Sequence, residues 1–195
     1  MSIVCTDRDK LERFMRDNLN ESRYIHSLGV EKMATELAGL YGADIEKAAF
    51  AGRYHDIAKC FDQDESDELI RKYGVDPRYL GNRALAHSKI AAAILEKDFG
   101  VIDEDILNAV RSHTTGRVGM SLLEEIVYVS DAIEENRNYP ELIELQEEAH
   151  ENLDLVCWHI MNYAVEMILE KGRKLDSETI EAREFIENRL RRNNG

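Results

Sequence analysis

The histidine–aspartate doublet His55-Asp56 is the feature that most constrains how this chain can fold. It ends a stretch rich in small residues that is predicted to be helical. The apolar face of that helix is formed by residues that recur at helical spacing, Ile45, Ala48, Ala49 and Gly52. An unpaired polar group inside a protein costs about 1–3 kcal/mol, and a buried charge costs more. Other segments must therefore bring partners to the doublet, and a metal ion would satisfy both side chains.

Four other predicted helices carry a histidine or an aspartate on their apolar faces. These residues are His26, His87, His113 and Asp131. One histidine on an apolar face is usually a hydrogen-bonded core residue, but five such helices in a chain with six histidines indicate a shared site. The remaining two, His150 and His159, are predicted to lie at the surface.

The six nitrogen and oxygen ligands predict a site for two metal ions. His26, the doublet and Asp131 would hold one divalent ion. His87 and His113 suggest a second ion, with Asp56 bridging the two. Imidazole and carboxylate ligands without thiolate favour Fe, Mn, Co, Ni or Zn over a structural zinc site. Two ions about 3.5–4 Å apart are a recognised device for hydrolysing phosphate esters.

Length and charge limit the class of protein. The 195 residues suffice for one domain that buries about 70% of the surface of its unfolded chain. A formal net charge of −14 argues against a nucleic-acid partner, because binding to the phosphate backbone requires a basic face.

No signal peptide is visible and no segment reaches the ~18 apolar residues of a spanning helix, so we expect a cytoplasmic protein without a membrane partner. The scattered cysteines Cys5, Cys60 and Cys157 suit a reducing compartment and are predicted to be inert.

The distribution of capping residues predicts an all-α protein. With only two prolines, the chain divides into helices near 7–18, 22–41, 66–73, 84–99, 103–113, 121–134, 140–150, 153–171 and 177–192, and another that runs from Asp44 through the doublet. The predicted N-caps include Ser22, Asp44, Asp103 and Ser121. No linker or repeat is visible. We therefore expect one helical domain over 1–195, with a catalytic core at about 22–155 and C-terminal helices at 153–192 packed on it.

The order of the ligands resembles that of a known superfamily. His26, His55-Asp56 and Asp131 match the H…HD…D pattern of the HD superfamily of metal-dependent phosphohydrolases. The stretches at 55–59, 86–88, 113–120 and 128–137 look like its YqeK-type branch, the symmetrical bis(5'-nucleosyl)-tetraphosphatases. The similarity runs from about residue 23 to 155. It implies an HD-domain helical bundle.

The resemblance also implies a reaction. Members of this branch hydrolyse diadenosine tetraphosphate at its central bridge and release two ADP, with a two-metal site that is often assigned to iron. The nucleophile would be a hydroxide that bridges the metals. Two positions depart from the family pattern, because Ser130 stands where alanine is usual and Glu135 where proline is usual. Neither is a predicted ligand.

Several residues are predicted to act on the substrate. Asp56, Lys59 and Asp131 are the predicted catalytic residues. The predicted substrate-binding residues are Lys59, Lys89, Thr114, Gly116, Arg117 and Arg137. Each of the cations also has a structural interpretation, as a surface lysine or as an ion-pair partner such as Arg137 with Glu134 or Glu141. A helix C-cap explains Gly116 equally well.

Three other functions are compatible with the same ligands. An HD-type nucleotidase or phosphatase would act on mononucleotides or deoxynucleoside triphosphates, and a shorter pocket would distinguish it. A di-iron oxygenase of HD type would consume oxygen. A regulatory module would bind a nucleotide without turnover, although degenerate modules lose ligands and this chain keeps all six. The oligomeric state stays open, with a homodimer as one option.

Overall fold

The computed structural model describes residues 7–172 and 174–193. In this part of the chain all regular secondary structure is helical, and there is no β-strand. The all-α prediction is confirmed. The α-helices are α1 Arg8–Asn18, α2 Glu21–Tyr41, α3 Ile45–Tyr54, α4 Gln63–Tyr73, α5 Arg83–Phe99, α6 Glu104–Ser112, α7 Leu122–Ile133, α8 Leu142–Glu151, α9 Leu153–Glu170 and α10 Ser177–Asn193. A 3-10 helix at Pro77–Tyr79 lies between α4 and α5.

Side-chain caps set most helix starts. Asp44 and Asp103 accept hydrogen bonds from the first turns of α3 and α6, and Ser121 forms a capping box with Glu124, as predicted. The prediction that Ser22 caps α2 was wrong. Asn20 accepts from the Arg23 amide at 2.9 Å instead, because asparagine is at least as good an N-cap as serine.

The third helix ends one residue before the doublet, at Tyr54. His55 is its C-cap, and residues 55–60 continue as turns rather than as the predicted helix. His113 likewise follows the last residue of α6 as its C-cap. The doublet and His113 therefore lie at the ends of helices, where their side chains can turn towards a common centre.

Helices α2, α3, α5, α6 and α7 surround that centre with a continuous apolar core, which includes Leu37, Ile90 and Ile126. Two large apolar residues lie outside this core, and one of them, Ile45, was predicted on the apolar face of the helix that leads to the doublet. Leu40 and Ile45 are 51% and 49% exposed. Leu40 is in the last turn of α2 and Ile45 begins α3, so both lie at the end of the helix pair, beside the turn at Gly42.

The C-terminal helices contact the core through apolar and charged residues. Met161 on α9 and Ala182 and Ile186 on α10 are buried. Arg189 donates to Glu125 on α7 at 2.7 Å and to Asp154 on α9 at 2.8 Å. These contacts favour the predicted single domain, which stays a prediction.

Two expectations from composition concern cysteines and membranes. Cys157 is buried and Cys60 is half-buried, and both are free thiols, as expected of packing residues. Cys5 lies outside the described residues. Among the helices described here, none is both long and apolar enough to span a bilayer.

Candidate metal centre

Asp56 is the centre of the cluster that the sequence predicted. Its Oδ1 lies 3.1 Å from His87 Nε2 and 3.3 Å from His113 Nε2. Its Oδ2 lies 3.6 Å from His55 Nε2 and 3.9 Å from His26 Nε2. The two oxygens of one carboxylate thus face two different pairs of imidazoles.

Asp131 completes the first of these groups. Its Oδ1 lies 3.0 Å from His26 Nε2 and 3.8 Å from His55 Nε2. Helix α7 places it there, opposite α2 and α3. All six predicted ligands therefore come together, from α2, α5, α7 and the ends of α3 and α6.

Hydrogen bonds fix the orientation of all four imidazoles. His55, His87 and His113 each place Nδ1 2.7–2.8 Å from the backbone carbonyl three residues earlier. His26 places Nδ1 3.0 Å from Glu134 Oε1. Since a carbonyl or carboxylate oxygen can only accept, each Nδ1 carries a hydrogen, and in the neutral ring the Nε2 that faces the centre has a lone pair.

Those lone pairs need a cation. The Nε2 atoms of His26 and His55 and the Oδ1 of Asp56 are buried without a hydrogen-bond partner. Lone pairs on neutral nitrogens that face carboxylate oxygens repel one another unless positive charge lies between them. Two groups of three can each converge on one ion, His26 with His55 and Asp131, and His55 with Asp56 and His113. The donor set fits divalent transition metals.

The pKa values favour the protonation states that a metal requires. Burial lowers the pKa of His55 to about 3 and that of His87 to about 4, so both are neutral near pH 7. Burial raises the pKa of Asp56, but its charged and hydrogen-bonding neighbours, Lys59 among them, lower it more strongly, to well below its usual range. Burial also raises the pKa of Asp131, and its neighbours, Arg137 among them, lower that pKa to well below its usual range. His55 and His87 as neutral imidazoles, and Asp56 and Asp131 as ionised carboxylates, are in the forms in which these groups bind a metal.

Three cations border the ligands. Lys59 Nζ lies 3.0 Å from His87 Nε2 and 3.6 Å from Asp56 Oδ1. Arg137 donates to Asp131 Oδ1 at 2.5 Å and to the Asp131 carbonyl at 2.9 Å. Arg23, which the sequence analysis missed, donates to Asp56 Oδ2 at 3.1 Å. Its position three residues before His26 on one helix was the available signal, since such residues share a face.

Of the other predicted substrate-binding residues, one lies beside the candidate ligands and three contact other parts of the protein. Thr114 is at the centre, with Oγ1 3.1 Å from His87 Nε2. Lys89 instead donates to Glu178 on α10 at 2.9 Å, and Arg117 forms two 2.6 Å hydrogen bonds with Glu124. Gly116 faces the C-terminal helices: a Cβ there would lie 2.6 Å from Met161 Cε. The structure does not bring these last three to the ligands, and their role in substrate binding stays a prediction.

The remaining two histidines are not in the cluster. His150 is exposed and lies 2.7 Å from Glu36 Oε1. His159 is partly exposed and lies 2.6 Å from Glu148 Oε2. Both have carboxylate partners of their own, at a distance from the four convergent imidazoles.

Glu134 is a second residue that the sequence analysis missed as part of the site, because it was considered only as a partner of Arg137. It is buried, and its Oε1 accepts from His26 while its Oε2 accepts from the Asn136 amide at 2.7 Å. Gly29 makes room for it, since a Cβ there would lie 2.1 Å from Glu134 Oε2. Glu134 thus holds His26 in the orientation that directs Nε2 inwards.

We expect Glu134→Gln to weaken metal binding by about 10–100-fold, because residues that orient a ligand typically have effects of this size. The adjacent Glu135 is the matched control, since its side chain is exposed and pairs with Lys32. Competition with a chelator would measure the dissociation constant of the metal for Glu134→Gln and Glu135→Gln. Equal constants for the two variants would show that Glu134 does not support the ligand.

Comparison with known proteins gives one family. The HD domain family matches residues 23–136. The chain is 35% identical over 174 residues to a protein of Bacillus subtilis named as a symmetrical bis(5'-nucleosyl)-tetraphosphatase, covering 89% of this chain and 94% of that protein. A Staphylococcus aureus protein of the same name is 33% identical, with 89% and 91% covered.

A solved structure has the same fold. The crystal structure of a predicted HD superfamily hydrolase from Clostridium acetobutylicum, described as involved in NAD metabolism, superposes with a TM-score of 0.90 at 37% sequence identity. It covers 95% of this chain and 99% of that one. The similarity therefore extends over the helices that carry the ligands and also over the C-terminal helices.

Proposed function

The chain belongs to the HD domain family, and on that premise we propose that it hydrolyses diadenosine tetraphosphate symmetrically to two molecules of ADP. This proposal rests on one observation: four imidazoles converge on two carboxylates, Asp56 and Asp131, with cations at the border. Relatives that share nearly the whole chain are named for this activity.

We further propose that the site holds two transition-metal ions, with iron favoured and Mn, Co, Ni or Zn as alternatives. His26, His55, Asp56 and Asp131 would hold one ion. Asp56, His87 and His113 would hold the other. The division of the Asp56 oxygens between two pairs of imidazoles supports this assignment. When bound, such ions stabilise developing charge on phosphoryl oxygens and lower the pKa of water.

The protein's own cations then bind and orient the substrate. Arg23, Lys59 and Arg137 have side chains about one third exposed, so they reach both the buried ligands and solvent. A tetraphosphate chain is strongly anionic, and the protein carries a formal net charge of −14. These three residues therefore provide the local positive charge that the overall charge opposes.

The reaction exchanges one bond for another. Oxygen from water attacks one of the two central phosphorus atoms, and the central bridging P–O bond breaks. The second ADP leaves with the electron pair of that bond. Its terminal phosphate is a good leaving group near neutral pH, so we assign no general acid.

Two cavities favour a dinucleotide over the alternative of a mononucleotide. Arg137 lies in the wall of both. One cavity, of about 560 Å³, extends towards α8 and α9, and the other, of about 390 Å³, includes Arg23 and His26. A substrate cleaved at its centre requires room for a nucleotide on each side of the scissile bond, and the presence of two cavities that share Arg137 supports such a substrate.

Product analysis tests the proposal. Metal-loaded protein is incubated with diadenosine tetraphosphate, and the nucleotides are separated by chromatography. We expect ADP as the sole product. AMP together with ATP would contradict symmetrical cleavage. No turnover by protein with confirmed metal content would overturn the proposal in favour of a mononucleotide phosphohydrolase or a regulatory module.

A further inference from the structure

We propose that the cavity between α8 and α9 binds a nucleobase that carries an amino group, adenine in the first instance. This inference rests on the proposed function and extends it to base recognition. The cavity measures about 560 Å³ and is lined by the end of α7, the segment before α8, and facing residues of α8 and α9. Six residues of its wall carry the proposal: Arg137, Tyr139, Glu141, Glu144, Ile160 and Tyr163.

The cavity borders the metal centre at Arg137. Arg137 forms part of its wall, and the same guanidinium donates to Asp131 Oδ1 at 2.5 Å. Ala132, the residue after Asp131, also lines it. A nucleotide whose phosphates contact Arg137 can therefore place its base in this cavity.

The inner wall offers an aromatic and apolar surface. Tyr139 is held by a hydrogen bond from its hydroxyl to the Ala132 carbonyl at 2.9 Å, so its ring is fixed. Tyr163 faces the cavity from α9 and is 53% exposed, next to Ile160 one turn before it. An exposed tyrosine beside fixed apolar groups is a surface on which a base can stack.

The rim of the cavity is acidic. Glu141 and Glu144 are exposed, and neither forms an ion pair within the part of the chain described. The third acidic residue there, Glu148, already pairs with His159 at 2.6 Å. Free carboxylates repel phosphate and accept hydrogen bonds from an exocyclic amino group. The base would therefore lie at the acidic end, with the phosphates at Arg137.

The stacking test compares Tyr163→Ala with Tyr163→Phe in metal-loaded protein. Titration calorimetry would give the dissociation constants of ADP and of pyrophosphate, which lacks a base. We expect Tyr163→Ala to weaken ADP binding about tenfold, because the base loses the aromatic ring on which it stacks, and to leave pyrophosphate binding unchanged. Tyr163→Phe should retain ADP binding. Equal ADP affinity in all three proteins would overturn the proposal.

The amino group is tested with the 5'-diphosphate of purine riboside, which is ADP without that group. We expect wild type to bind ADP about tenfold more tightly, and Glu141→Ala combined with Glu144→Ala, which removes both acceptors, to abolish most of this preference. No preference in wild type would overturn the role of the carboxylates. A change of sedimentation coefficient in Tyr163→Ala without a change in ADP affinity would overturn the proposal in favour of a contact between two copies.

These results are independent of turnover. Wild type that forms ADP from diadenosine tetraphosphate, with ADP binding unaffected by Tyr163, would refute the cavity proposal alone. Tyr163-dependent ADP binding without any cleavage would refute the proposed reaction alone.

Discussion

Asp56→Asn is expected to abolish metal binding and hydrolysis together. Asp56 is the residue whose two oxygens face both pairs of imidazoles, so its replacement removes a ligand from each proposed ion at once. Asparagine has nearly the same shape but lacks the negative charge. We expect the rate of hydrolysis to fall by more than about 100-fold, the upper end of the effect of residues that only orient a ligand.

Two measurements on the same preparation check this result. Elemental analysis gives the metal content per chain, and chromatography gives the rate of ADP formation. The matched control is His150→Gln, which changes a histidine that is exposed and paired with Glu36, away from the cluster. It should keep metal content and rate near wild type. Full activity of Asp56→Asn with an empty site would refute the two-metal mechanism.

Gly52→Ala is expected to lower the stability of the protein by about 1–3 kcal/mol, the usual cost of overpacking a core. A Cβ at position 52 would lie 3.0 Å from the Val30 carbonyl oxygen and 3.1 Å from the Glu31 Cα. Both are backbone atoms of α2, so helices α2 and α3 would have to separate. For a chain of this length, the melting temperature should fall by about 2–4 °C per kcal/mol.

Gly39→Ala is the matched control for this substitution. Gly39 is also a helical glycine, but it is exposed, and the nearest atom to an added Cβ is a side-chain carbon of Ile45 at 3.9 Å. Alanine should stabilise α2 there by about 1 kcal/mol through helix propensity. Thermal denaturation followed by circular dichroism would compare the two variants. A melting temperature for Gly52→Ala equal to or above wild type would show that α2 and α3 do not pack closely at this point.

The metal affinity of Gly52→Ala provides a second readout. The Gly52 carbonyl oxygen lies 2.7 Å from His55 Nδ1, so movement of α3 also moves a ligand. We expect weaker metal binding in Gly52→Ala and unchanged binding in Gly39→Ala. The stability of the helix pair and the geometry of the site are thus linked through one glycine.

The sequence by itself predicted the helical class, which the structure has, and a candidate ligand set, whose side chains the structure brings together. Helical periodicity identifies which residues share a face, and His26, His87 and Asp131 stood on apolar faces where an unpaired polar group is costly. The caps at Asp44 and Ser121 were equally predictable, because a capping hydrogen bond joins residues only three positions apart.

Only the tertiary structure decided which charged groups support the site. Glu134 orients His26 across 108 positions of sequence, and Lys89 pairs with Glu178 across 89. Local patterns contain no information about such pairs. Lysine and arginine side chains are long and flexible, so a cation close to a ligand in sequence can be drawn to a distant carboxylate. Which carboxylate it meets depends on how the helices pack, and that is why Arg23 borders the ligands while Lys89 faces α10.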